Sequence, residues 1–247
     1  MSSKFNLPTE TVDLPSKGLI YPKESPLSSG TIEMKYMTAK EEDILTNQNY
    51  IRQGIVIDKL LRSLIISKEV NFDDILIGDK NAIMVAARIL SYGKDYTISF
   101  RGQQLTVDLS ELKTKTLDES LYTSGKNEFT FSLPSTGNKV TFKLLTQADE
   151  NIIEKEIAGL KKIDKNASPE VTTRLKHIIT SINDLTEQKD IREFVDNFLL
   201  AKDARALREE YSRVQPDVDL TFKYTDEDGV EEDVALPIGL NFFWPDS

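Results

Sequence analysis

The chain has 247 residues, 31 of them Lys or Arg and 41 Asp or Glu, for a formal charge of −10, with no cysteine and one histidine. Disulfides, thiolate metal sites and a cysteine nucleophile are excluded, and the acidic balance lacks the electrostatic footprint of a nucleic-acid binder. No apolar run approaches the roughly 18 residues of a membrane helix, and the N-terminal MSSKFNLPTE has no apolar signal-peptide core, so a cytoplasmic product is expected.

Residues 1–30 read as an extended arm, because Pro8, Pro15, Pro22 and Pro26 with Gly18 and Gly30 block regular helix. Leu7, Leu14, Leu19, Ile20 and Tyr21 punctuate the arm with apolar groups that a free tail does not need. The stretch LPSKGLIYP either packs on its own domain as coil or reaches over a neighbour. An extended chain covers about 3.3–3.6 Å per residue, so an arm of this length can cross a small domain.

Residues 31–93 form a helical N-terminal part after a strand-like start. Thr38 to Glu41 is T-x-x-E, a capping box, with Glu41, Glu42 and Asp43 in the first turns where the helix dipole favours them. An acidic catalytic cluster is the competing reading, but capping accounts for these carboxylates without a cleft to separate their pKa values. Ile57, Leu60, Leu61, Leu64 and Ile65 recur at helical spacing on one face. Each contributes about 1.5–3 kcal/mol of transfer free energy when buried. Asp79 is placed to cap a helix through Ala82–Leu90 that is apolar on most sides and therefore central. Gly93 is placed to end it in a left-handed conformation. Gly78-Asp79-Lys80 carries no phosphate-loop pattern.

Residues 94–145 carry two hairpins. Tyr96–Phe100 and Gln104–Leu109 alternate around Arg101-Gly102, and Phe129, Phe131 and Leu133 alternate before a turn at 134–138 and the return through Val140, Phe142 and Leu144. The two hairpins are expected to share one antiparallel sheet with an apolar face. Residues 146–213 form a helical block. Thr146 caps its first helix with Asp149 three residues on, and Ile152, Ile153, Ile157 and Leu160 make the stripe. Ser168 and Pro169 start the next helix, whose stripe runs Val171, Leu175, Ile178, Ile179 and Ile182. Asp190 is placed to cap a helix through Leu199, and a last helix runs through Ala204–Tyr211. These helices either bundle or offer grooves to partner helices. His177 sits mid-helix with no second His or Cys to join it, which points to a structural role.

Residues 214–247 return to strands. Val218, Leu220, Phe222 and Tyr224 alternate before the acidic turn 226–229, then Val234 and Leu236 follow. The turn fails as a calcium loop, because its first ligand position falls on Tyr224. The terminal hairpin is expected to add to the sheet of the middle hairpins. The tail gathers Phe242, Phe243 and Trp244 into the last six residues. It either docks into its own core or forms an aromatic anchor of the kind that interfaces favour.

The stretches LPSKGLIYP, IEMKYMTAKEEDILT, IGDKNAIMVAARILSYG, VQPDVD and PIGLNFFWPD, taken in order from about Leu14 to Pro245, resemble the T4-like phage baseplate protein family. That family includes the baseplate hub subunit and hub assembly proteins of contractile-tailed phages. The resemblance implies relatives with paired cysteines at the hairpins near Arg101 and Tyr224. This sequence has none, so no zinc-ribbon role is carried over, and Phe100, Leu105, Phe222 and Val234 are left to hold the hairpins.

The fold expected is α+β: an extended arm, a helical N-terminal part, antiparallel hairpins, a helical block, and a C-terminal hairpin with a docked aromatic tail. The function expected is a non-enzymatic hub subunit or hub assembly protein working through protein–protein contacts, in the host cytoplasm during assembly and then the tail baseplate. The alternative is a transient chaperone for tape-measure or hub helices. A hydrolase using Glu41 or Asp149 is the remaining class. No catalytic, cofactor or metal residue is assigned. Leu14, Leu19, Ile20, Tyr21, Phe242, Phe243 and Trp244 are the candidate partner-binding residues. Hub or tape-measure proteins are the expected partners, with self-association left open and no nucleic acid or membrane among them.

Overall fold

The computed structural model describes residues 7–166, 168–225 and 229–243. Strand β1 (Thr9–Asp13) pairs antiparallel with β2 (Thr31–Lys35), and the proline-rich connection between them folds into turns and a 3-10 helix at Pro26–Ser29. Helices α1 (Ala39–Leu45), α2 (Gln48–Arg52) and α3 (Val56–Leu64) follow. On α3 the expected stripe is realised, with Leu60, Leu61 and Leu64 buried and Ile57 and Ile65 half-buried. Helix α4 (Ile77–Tyr92) is central as its composition predicts, with Ile83 and Ala87 fully buried. The hairpin β3 (Asp95–Phe100) and β4 (Gln103–Asp108) turns at Arg101 and Gly102, both at positive φ.

The pattern then starts again. Strands β5 (Phe129–Ser132) and β6 (Lys139–Phe142) form a hairpin, followed by α5 (Gln147–Ile163) and α6 (Glu170–Ile178). Strand β7 (Ile179–Ile182) returns to pair with β6, and α7 (Gln188–Asn197), α8 (Ala201–Val214), the hairpin β8 (Thr221–Thr225) with β9 (Glu231–Ala235) and a 3-10 turn at Leu240–Phe243 follow.

The chain is therefore one plan built twice, over residues 9–109 and 129–236. Leu14-Pro15-Ser16-Lys17-Gly18 after β1 is matched by Leu133-Pro134-Ser135-Thr136-Gly137 after β5. Leu14 N–H donates to Gly30 O at 2.8 Å and Leu133 N–H to Asn138 O at 2.9 Å, fixing the same hairpin register in both. Lys35-x-x-Thr38-x-x-Glu41 leads into α1 as Lys143-x-x-Thr146-x-x-Asp149 leads into α5. Helix α3 ends at Ile65 (φ −72°, ψ 126°), which bridges Met34 of β2, and α6 ends at Ile179 (φ −72°, ψ 130°), which pairs with Phe142 of β6. Leu76 (φ −63°, ψ 147°) starts α4 and Leu200 (φ −63°, ψ 146°) starts α8. Each final hairpin is closed by one 2.8 Å bond, from Leu109 N–H to Lys94 O and from Leu236 N–H to Leu220 O. The inward residues Ile32, Met34, Val140 and Phe142 are all buried, so both halves contribute equivalent strands to the core.

The halves are joined by a short antiparallel contact between α4's start and α5's start. Leu76 bridges Thr146, Ile77 N–H donates to Leu145 O at 3.1 Å, and Gln147 N–H donates to Ile75 O at 2.8 Å. Around it Ile75, Leu76 and Leu145 are buried.

Several expectations are corrected. The hairpins do not merge: β3–β4, β5–β6–β7 and β8–β9 lie in separate sheets. Each closes within its own half, and the terminal hairpin meets the middle one through rings, not a ladder. The stripe Val171–Ile182 is not one helix. Its C-terminal part is β7, because the Ile179-Thr180-Ser181-Ile182 run is β-branched and β6 offers an unpaired edge. Asp79 and Asp190 lie in the first turns of their helices, not at the caps, which fall at Leu76 and Glu187. Pro169, not Ser168, is the cap residue of α6. Gly93 has φ 86° but ψ 173°, an extended mirror conformation and not the left-handed helical one.

Candidate contact surfaces

The arm is held by one buried carboxylate. Asp79, fully buried at the third position of α4, accepts from Ser16 N–H at 2.8 Å, Ser16 Oγ at 2.7 Å and Tyr21 Oη at 2.7 Å. Tyr21 Oη in turn accepts from Leu76 N–H at 2.9 Å, taking one of the orphan amides of the helix start. Burial pushes the Asp79 carboxyl up from its ordinary range, against the pull of the Ser16 and Tyr21 bonds. Burial and the nearby Asp79 charge push the Tyr21 hydroxyl up as well, so it remains a donor. A buried carboxylate needs hydrogen-bond donors in place of water, and these three supply them to both oxygens.

The second half repeats this device in a simpler form. Asp203, at the third position of α8, accepts from Ser135 N–H at 2.8 Å and Thr136 Oγ1 at 2.9 Å. Burial opposes ionisation here too, but the Ser135 and Thr136 bonds outweigh it and hold the carboxyl below its ordinary value.

The run Val214–Asp219 clamps the halves from the other side. Asn81 Nδ2 donates to Asp217 at 2.9 Å, Lys115 N–H donates to Asp217 O at 2.9 Å and Asp219 N–H to Lys113 O at 2.8 Å. Lys115 Nζ and Tyr122 Oη cover the carbonyls of Ser212 and Val214 at the end of α8. Gly78 lies so close beneath that a Cβ there falls 1.7 Å from Pro216 O.

The carboxylates weighed as catalytic are helix caps. Glu41 accepts from Thr38 N–H at 3.0 Å and Lys35 Nζ at 2.7 Å, and Asp149 from Thr146 N–H at 3.1 Å and Lys143 Nζ at 2.6 Å. His177 Nε2 lies 2.9 Å from Glu156, which also takes a bidentate pair from Arg192, linking α5, α6 and α7.

Of the candidate contact residues, Leu14, Ile20, Tyr21, Phe242 and Phe243 are buried in the chain's own core and Leu19 is half-buried. Trp244 lies outside the described residues. Phe242 meets Tyr96 edge-on at 4.9 Å between ring centres and Phe243 at 5.3 Å. Tyr96 Oη donates to Pro237 O at 3.1 Å. The β3–β4 and β8–β9 hairpins meet through Phe100, whose ring stands edge-on to Phe222 at 6.4 Å and Tyr224 at 5.0 Å, while Arg101 pairs with Glu232 at 2.9 Å. Apolar groups left exposed include Leu185 and Phe198, which line one cleft at the ends of α7, and Leu200 at the start of α8. Composition alone did not single these out, because each sits in a stretch that reads as an ordinary helix or turn.

A family model described as T4 bacteriophage base plate protein matches residues 10–244. No curated protein and no solved structure matches the chain.

Proposed function

Because the chain belongs to the T4 bacteriophage base plate protein family, we propose that it is a hub subunit or hub assembly protein of the baseplate, working by contact and not by turnover. The family match over almost the whole chain carries the baseplate role. The absence of turnover is supported by the way the chain uses its polar groups. Asp79, Asp203, Glu41 and Asp149 each fix a loop or a helix start. A catalytic pair needs carboxylates held apart in environment within a shared cleft, and these four are spent on separate elements, Asp79 and Asp203 on loops and Glu41 and Asp149 on helix starts.

A second reading, a transient assembly factor absent from finished tails, is favoured by the exposed apolar group Leu185, Phe198 and Leu200. Exposed clusters of this kind mark surfaces that are covered by something else. The two readings divide on residence. Quantitative mass spectrometry of purified tails and of assembling lysate is expected to find the chain in both at fixed stoichiometry. Its loss from finished tails favours the transient role, and its co-purification only with proteins outside the baseplate overturns the hub reading.

A further inference from the structure

The junction inside the chain joins edges that are not equivalent. It uses Ile75–Ile77 of the first half and Leu145–Gln147 of the second. By the repeated plan, the second half's counterpart of the first edge is Leu199–Ala201, and the first half's counterpart of the second is Met37–Ala39. Among the described residues neither of these forms a bridge or a backbone bond to the other half. The chain thus presents one unused copy of each side of its own junction.

The burial pattern follows this division. Leu76 is 3% exposed at the junction, whereas its counterpart Leu200 is 50% exposed. Gln147 is buried, whereas its counterpart Ala39 is exposed; Leu145 is buried, whereas Met37 is only half-buried. Two residues before Leu200, Phe198 is 59% exposed and lines, with Leu185 (56% exposed), Ile182, Phe194 and the polar Asn183 and Glu193, a cleft of about 350 Å³. The stretch before α4 in the first half carries Phe72, which is buried, and its 3-10 turn packs on α5 of the second half. What the first half covers by docking on the second, the second half leaves open.

We propose that a second copy of this chain docks head-to-tail, the Phe198–Ala201 edge of one copy on the Tyr36–Ala39 edge of the next, repeating between chains the contact that joins the two halves within one. Such an interface is heterologous, so each copy keeps one edge free and the series extends until it closes into a ring or stops. Leu200 and Met37 exchange the places that Leu76 and Leu145 hold inside the chain. Ala201 N–H and Leu199 C=O face Met37 C=O and Ala39 N–H as an antiparallel pair. The proposal rests on the reading of this chain as a contact protein. Its test uses purified protein alone, so its failure is separate from any failure in baseplate assembly.

The test is sedimentation velocity over a concentration series of the full chain, at low ionic strength and at high ionic strength that screens the net charge of −10. Species larger than the monomer that grow with concentration are expected. Leu200→Asp and Ala39→Glu each block one edge, and both suit their helix starts, Asp as a cap and Glu in the first turn. Each variant alone is expected to be monomeric, with an unchanged thermal melt. An equimolar mixture of the two is expected to form a one-to-one dimer and nothing larger, because only one intact pair of edges remains. Phe198→Ser is expected to weaken self-association at least tenfold. A wild-type chain that stays monomeric throughout, oligomers that persist in both edge variants, or a mixture that fails to pair would overturn the proposal.

Discussion

Asp79 and Asp203 occupy the same place in the two halves, the third position of α4 and of α8, and each accepts from the Leu-Pro-Ser loop that follows the first strand of its half. Asp79 also takes a donor from beyond the Leu-Pro-Ser segment, Tyr21, because the first half's loop is longer and carries LIYP into the core. Asp79→Ala leaves those donors buried without an acceptor, at about 1–3 kcal/mol per orphaned group. Thermal or denaturant unfolding is expected to show a larger loss for Asp79→Ala than for Asp203→Ala. Tyr21→Phe, which removes one donor and the acceptor for Leu76 N–H, is expected to cost about 1–2 kcal/mol. Equal losses for the two aspartates would contradict the added weight given to the arm.

Two helical glycines should respond in opposite directions to the same change. At Gly78 a Cβ falls 1.7 Å from Pro216 O, so α4 and the Val214–Asp219 run must separate to admit it. Gly78→Ala is expected to destabilise by about 3 kcal/mol or more, within the range for overpacked or displaced cores. At Gly159 on α5 a Cβ meets nothing within 4 Å. Gly159→Ala is expected to stabilise by about 0.5–1 kcal/mol, the ordinary helix-propensity difference. Chemical denaturation of both variants checks the pair.

The helix starts at Thr38 and Thr146 were legible from the sequence because a cap is a local device, written in residues three apart. The α3 stripe was legible for the same reason. The fate of Ile179–Ile182 was not, since a β-branched run after a helical stripe fits either state, and the choice is made by the open edge of β6. The separate sheets are not written in the alternation, which reports that a strand has one buried face, not which strand it pairs with. The repeated plan was present as LPSKG against LPSTG and as K-x-x-T-x-x-[E/D] twice, but the unequal loops between these marks blur any fixed period. The arm and tail residues could be ranked as apolar anchors. Whether they turned inward depended on partners far along the chain, Asp79 for Tyr21 and Tyr96 for Phe242.

Phe242 is fully buried, with its ring packed edge-on against Tyr96 and Phe243. Its 3-10 turn, Leu240–Phe243, packs on α4. Phe242→Ala is expected to cost about 3–5 kcal/mol, the usual cost of an emptied aromatic site. Hydrogen exchange should show the loss spread into α4 and β3. A variant that melts like wild type would mean that the tail is an ornament on a core complete without it.

Glu156 contributes a pH-dependent part of the stability. Arg192's two bonds, at 2.7 and 2.9 Å, are the larger cause and His177's contact a smaller one, and together they overcome burial and lower the Glu156 carboxyl from 4.5 to about 2. A carboxyl whose folded pKa is depressed contributes stability above its unfolded value, and that contribution is lost as pH falls through the folded one. The window therefore runs from 4.5 down to about 2. Screening at a partly exposed pair limits the contribution to about 1 kcal/mol. Glu156→Gln is expected to melt below wild type at neutral pH, and the gap should narrow across that window as the wild-type carboxyl takes up its proton. Arg192→Leu should lose the larger part of that pH dependence, because it removes the larger cause and leaves the His177 contact. A gap between wild type and Glu156→Gln that stays constant into strong acid would place the stabilisation in packing and not in the charge linking α5 to α7.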